Sequence, residues 1–381
     1  MKVSVYHSLS EIDEFAWDSL GDSSYPFTRH AFLYGLEQHN CLDPFGWHPV
    51  YFLIHQGKAL VAALPCYIKT NSYGELVFDH AWSNAYQRSG LDYYPKLVTA
   101  IPYTPATGER FLINQAVVGD ENTRQDYRLQ LSRAAIQFCQ EHQLSSWHIL
   151  FAEQSILRAL DSKTIMLRSD IQFHWQNQQY NDFDDFLSRL SSRKRKNIRK
   201  ERISAGQHGL DIEMHEGHTL DAKQWSRIHE LYAGIYQRKY GTATLSSEFF
   251  QHLGKSLGDR VLVALARGAG KIVASSLFFR SDSHLYGRVW GSEGYARDLH
   301  FECCYYRGIE YCIDNQLEWF DPGAQGEHKL SRGFLPRKTW SGHWIGRSEF
   351  SAAIAEFLRQ ENQYIDDYQA QLMHHSPYRK A

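Results

Sequence analysis

Two stretches of this chain repeat one another in order and in detail, and that repetition limits the fold more than any other feature. YFLIHQGKALVAALPCYIK, starting at Tyr51, is a pair of apolar, β-prone segments around Gln56-Gly57-Lys58. VLVALARGAGKIVASSLFF, starting at Val261, repeats the plan around Gly268-Ala269-Gly270-Lys271, so each predicts a β-hairpin. A helical period comes next in each half: Leu131, Ala134, Ala135, Phe138 and Cys139 in one, and Phe301, Cys304, Tyr305, Gly308, Ile309, Cys312 and Ile313 in the other. Similar junctions lead from each helix to a short strand. Cys139-x-x-x-Gln143-Leu144 precedes residues 147–151, and Cys312-x-x-x-Gln316-Leu317 precedes Trp319 and Phe320. Hairpin, helix and strand in the same order twice is the mark of an internal duplication. With 381 residues, the chain has room for two cores.

The expected organisation is therefore an α/β (α+β) chain of two similar domains, residues 1–172 and 173–381, with the boundary between 168 and 182. The first half carries roughly 40 extra residues between hairpin and helix, judged against ordinary loop lengths. This insert, about 79–120, contains LDYYPKLVTAIPYTPATGERF. Pro95, Pro102, Pro105 and Gly108 there favour loops and edge strands over a helix, which makes it a candidate lid or pocket wall.

A net charge of −2 gives no overall field to steer a polyanion, so any such partner must be held by a local patch. Six cysteines without C-x-x-C spacing, and a start, MKVSVYHSLSEIDEF, unlike a signal peptide, point to a reducing cytoplasm. Arg267 and Lys271 interrupt the most apolar region before it could span a bilayer, which leaves peripheral membrane contact open.

The local patch is SSRKRKNIRKER, residues 191–202, in which seven of twelve residues are Lys or Arg. Helical spacing places Arg195 beside Arg199, and Lys196 beside Lys200. Such a face is either simply solvated or a phosphate-binding surface for a carrier such as tRNA. The longer run SSRKRKNIRKERISAGQHGL is similar to the basic segment that opens the second half of Fem-type peptidoglycan aminoacyltransferases. Together with GLDYYPKLVTAIPYTPATGERFL and HFECCYYRGIEYCIDNQLEWFDPGAQGEHKLSRGFLP, it resembles the FemAB-like family of N-acyltransferases more closely still. The resemblance implies two tandem acetyltransferase-like (GNAT) domains, mixed sheets flanked by helices. It also implies transfer of an acyl or aminoacyl group to an amine, and it names no substrate.

Residues 300–336 concentrate the groups that such chemistry needs. Transfer to an amine requires a polarised carbonyl and an acceptor for the released proton. Glu302, His300, Glu327 and His328 can each be that acceptor. Glu302, in the first turn of an apolar-faced helix, is the preferred base, and its alternative is a carboxylate set against the helix dipole. Asp321 joins Glu302 and His300 as a catalytic candidate. Lys329 and Arg332 are expected to hold a carboxylate or phosphate, or else to form surface ion pairs. Glu327, His328 and Tyr103 complete the substrate-binding set, and Arg195, Lys196, Arg199 and Lys200 the donor-binding set. The site is expected chiefly on the second half, in the crevice between the two.

Phe320-Asp321-Pro322-Gly323 resembles the Asp-Phe-Gly-Gly-like turn of Fem enzymes but departs from it at Pro322, which puts a peptidoglycan-precursor acceptor in doubt. No acetyl-CoA pyrophosphate loop is present: Arg267-Gly268-Ala269-Gly270 has the wrong spacing, and Arg288-x-x-Gly291 runs on to Glu293. No tightly bound cofactor is expected, and acyl-CoA, acyl carrier protein and aminoacyl-tRNA stand as donors. A small-molecule or lipid amine is the acceptor. The rival readings are fatty-acyl transfer to a lipid amine and a nucleic-acid-binding protein without catalysis. Cys303 and Cys304 read as core, and His300-x-Glu302 without Pro-Cys-x-x-Cys gives no metal site.

Overall fold

The computed structural model describes residues 2–238, 241–324 and 326–379, so Gln325 of the loop quoted above lies outside them. Two compact units result, residues 1–171 with 338–368, and residues 172–337 with 369–381.

In the first unit β1 (Val3–Tyr6), β2 (Trp47–Gln56), β3 (Ala59–Lys69) and β4 (Lys96–Thr99) are antiparallel neighbours in that order. The short β5 (Leu112–Ile113) also pairs with β3, and β6 (Ser146–Leu150) lies parallel to β4. The helix Glu121–Glu141 begins at a true cap, with the Asp120 carboxylate accepting from the Thr123 N–H at 2.9 Å. Its apolar stripe packs on the sheet, where Phe138 meets Phe52 edge-to-face at 5.5 Å.

In the second unit β7 (Met166–Gln176) contributes Trp175 and Gln176, which pair with β12 (Trp319–Asp321). Beyond it β8 (Asp211–Glu216), β9 (Val261–Gly268), β10 (Lys271–Arg280) and β11 (His284–Ser292) are antiparallel neighbours, and β12 lies parallel to β11. The last strand, β13 (Leu335–Ile345), returns to the first unit, where residues 341–345 pair antiparallel with β6. Each unit is thus four antiparallel strands, a parallel pair, and a sixth strand antiparallel to the fifth.

Two features differ from the sequence reading. Residues 338–368 join the first unit because β13 completes its sheet, whereas a single cut near 172 places them in the second. The insert also proves structural. It contains a helix, His80–Arg88, and β4 is an internal strand, fully buried between β3 and β6. Lys96 on β4 is buried and ion-paired to Glu75 (2.8 Å) and Asp79 (2.5 Å). β4 has a counterpart in β11, which stands at the same place in the second unit.

Candidate active site

β11 and β12 pair only from His284 to Tyr286 and from Trp319 to Asp321, after which β11 continues beside β10 to Ser292 and the backbone after β12 turns away at Pro322. Gly323, at φ +97°, takes the turn that a side chain would strain, and its N–H donates to the Asp321 carboxylate at 2.9 Å. The divergence opens a hollow of about 290 Å³. Its walls are Gly287–Trp290 on one side, Pro322–Ala324 on the other, and Ser276, His300, Cys304, Tyr305, His328 and Lys329. Every one of these belongs to the second unit.

The helix over the hollow, residues 299–314, is held tightly to β12. A Cβ on Gly308 would meet the Phe320 ring at 2.5 Å, so only glycine permits the approach. Residues Glu302–Tyr306 of this helix form a π turn, whose extra residue rotates the later side chains relative to an α-helical count. Cys304 and Tyr305 face the hollow, while Glu302 meets Arg202.

Asp321 is buried and accepts from Arg288 Nη2 at 2.7 Å, with His174 at 4.0 Å. Burial alone would raise this carboxyl, but Arg288, His174 and the Gly323 N–H outweigh it and hold it far below the usual carboxylate range. Lys329 is 2% exposed and donates to the Gly323 carbonyl at 2.6 Å. Burial lowers its ammonium to about 8, with Arg288 adding to the shift and Asp321 opposing it. His300, set edge-on to Trp290 and Tyr305, is brought down to about 4 by burial and by its neighbours His328, Arg332 and Lys329. His328, hydrogen-bonded to the Tyr305 hydroxyl at 2.9 Å, is likewise lowered by burial, Arg332 and Lys329. Both imidazoles are neutral at pH 7.

Other expected site residues are engaged elsewhere. Glu302 is gripped by Arg202 through two hydrogen bonds (2.9 and 3.1 Å) and by Arg307 at 3.2 Å, and it does not line the hollow. Its carboxylate is occupied by two guanidinium groups and stands outside the hollow, which is against its reading as the base. Arg332 makes a bidentate pair with Glu201 (2.8 and 3.0 Å) and stacks on Phe301, so it positions the wall rather than reaching a ligand. Tyr103 lies in the first unit, its hydroxyl donating to the Cys41 carbonyl at 2.6 Å. Glu327 is exposed and outside the lining.

The basic helix is Ser192–Gly206. Ile198 and Ala205 are its buried face, and Arg202, one turn on from Ile198, turns inward with them. Lys196 and Lys200 are exposed, Arg195 is half-buried, and Arg199 holds an exposed pair with Asp184 at 2.9 Å, which contributes little to stability. Arg288, the counter-charge of Asp321, is the residue that sequence reasoning misses, because there it reads as part of a failed pyrophosphate loop. Its one signal is a charge inside an otherwise apolar neighbourhood, two positions from Trp290.

A family model of FemAB-like proteins, described as peptidoglycan biosynthesis and recognition, matches residues 8–380. The chain belongs to the FemAB-like family. Its fold is similar to that of FemX (TM-score 0.52, 10% identity, 92% of this chain and 100% of that one). The C-terminal domain of a putative lysylphosphatidylglycerol synthetase from Agrobacterium fabrum matches at TM-score 0.49 and 11% identity, over 77% of this chain and 85% of that one. A tandem GNAT protein from the clavulanic acid biosynthesis pathway matches at 0.43 and 10%, over 91% and 100%. No curated protein matches the sequence. The two units of this FemAB-like chain are mixed sheets flanked by helices, and the likeness to FemX is one of fold. Among the described residues no helix is long and apolar enough to cross a membrane.

Proposed function

We propose that this protein transfers an acyl group from a carrier to an amine, and that the reaction takes place in the hollow between the diverging ends of β11 and β12. The observation that carries the reading is the company kept by Lys329: a buried ammonium beside two neutral imidazoles, at a strand end where backbone and side-chain donors converge. The amine nitrogen attacks the carbonyl carbon and the new C–N bond forms. The amine's proton passes to His300 or His328, and the bond from the carbonyl carbon to the carrier's oxygen or sulfur breaks, the leaving atom taking up a proton. Negative charge gathers on the carbonyl oxygen meanwhile, in a place that Lys329 makes favourable to it. The carrier's phosphates are met by Arg195, Lys196, Arg199 and Lys200, which suits aminoacyl-tRNA, acyl carrier protein or acyl-CoA held without a pyrophosphate loop.

The test is amide formation, read by mass spectrometry, from each of these donors against a panel of amines. One donor is expected to give product, and Lys329→Met to cut the rate about 100-fold, the scale of losing one preorganised charge. Unchanged product from the variant sinks the placement of the reaction in this hollow.

A further inference from the structure

A buried charge is tolerated where something answers it, and the hollow carries one that the protein answers only in part. An ammonium has three N–H donors. Among the described residues, the Lys329 ammonium makes one hydrogen bond, to the Gly323 carbonyl. The acid behind it, Asp321, is occupied by Arg288 and by the Gly323 N–H. No carboxylate is among the described residues that line the hollow, whereas Arg288 and Lys329 are, beside two neutral histidines. The lining is therefore positive and has hydrogen-bond donors to spare.

Deepening the transfer reading, and resting on it, we infer that the hollow holds the carboxylate of the acceptor, so that the amine acylated here belongs to an amino acid or another small amine with a carboxylate close by. The carboxylate takes one of the two remaining N–H donors of Lys329 as a charge-assisted pair and leaves the other for the carbonyl oxygen. The same positive surroundings disfavour the protonated form of the neighbouring amine, which raises the share of neutral nucleophile. An aminoacyl group, its carboxyl esterified, has no carboxylate to give Lys329 and so does not take the acceptor's position. The hollow thus selects against a free ammonium without a carboxylate.

Direct binding, with no donor present, separates this inference from the transfer reading. Ligand-observed NMR and calorimetry compare N-acetylalanine, N-acetylalaninamide and alaninamide, an anion, a neutral isostere and a cation. N-acetylalanine is expected to bind about 10- to 100-fold tighter than the other two, the effect of one charge-assisted hydrogen bond. Its affinity is expected to fall as pH rises past about 8, where Lys329 loses its proton. No other group facing Lys329, where the guanidiniums of Arg288 and Arg332 also lie, accounts for that change: burial pushes the Cys304 thiol up to about 12 and raises the Tyr305 hydroxyl, Asp321 is held ionised, and His300 and His328 are already neutral.

Lys329→Met is expected to abolish the preference and Lys329→Arg to keep part of it. Equal binding of acid and amide, no binding of the acid, or an affinity indifferent to pH overturns the inference. The pH profile of the unaltered protein decides the matter if Lys329→Met does not fold. Because no transfer is measured, tight carboxylate binding by a protein that acylates nothing would sink the transfer reading alone. Acylation of amines that lack a carboxylate, with no binding of N-acetylalanine, would sink this inference alone.

Discussion

The same strand divergence occurs in both units, and the two copies have been used in opposite ways. In the first, pairing ends at Thr99 of β4 and Ile149 of β6, and the space beyond is filled from within. Arg110, 2% exposed, donates to the carbonyls of Leu150 (2.9 Å), Ala106 (2.7 Å) and Glu109 (2.9 Å). The Gly108 N–H donates to the Phe151 carbonyl at 3.1 Å. A Cβ on Gly108 would strike the Tyr25 ring at 2.5 Å, so this plug leaves no slack. In the second unit the chain after β12 turns aside and leaves about 290 Å³ with a charged lining. Duplicated architecture thus supplies two mouths, and the composition of one connecting loop decides which becomes structure and which stays available for chemistry.

The largest effect that would sharpen this contrast is expected in the open mouth. Asp321→Asn removes the counter-charge of Arg288 and Lys329, so turnover should fall about 100-fold, as when one partner of a buried ion pair is lost. Because Asp321 opposes the lowering of Lys329, the variant's pH–rate profile should also lose its alkaline side at lower pH than the unaltered protein. A profile that stays in place would separate Asp321 from Lys329.

In the filled mouth the loss should be one of stability. Arg110→Ala strips three carbonyls of their donor and should cost about 2–3 kcal/mol in chemical denaturation, with transfer per folded molecule unchanged. A matching fall in turnover would mean that the first mouth also takes part in the reaction. The smallest loss of stability is expected at Glu302→Gln, which should cost about 1–2 kcal/mol, leaving Arg202 and Arg307 less well paired, while turnover stays within a few-fold. Loss of turnover without loss of stability would restore Glu302 as the base.

Much of the framework was legible because its signals are local. Gly57 at φ +63° and Gly270 at φ +77° mark the two hairpin turns where the sequence placed them. The junctions before β6 and β12 match because each comes after a helix that ends in the same way. β11 was not legible as a strand: Gly287, Arg288 and Gly291 break its apolar pattern, and Arg288 is there to meet a carboxylate on the next strand. The inward turn of Arg202 was within reach, since it shares a helical face with Ile198 and Ala205, but the density of like charge around it read as one outward patch. The role of Glu302 was beyond local pattern altogether, because its partner lies 100 residues earlier and a π turn sets its direction.

The late return of β13 bears on how this chain can be dissected. Residues 1–172 expressed alone would lack the strand that covers β6, whose five residues are all buried. Such a fragment would present a raw apolar sheet margin, prone to stick to its own kind. A piece meant to stand by itself needs residues 338–368 grafted back, so the sensible cut follows the strands and not the order of the chain.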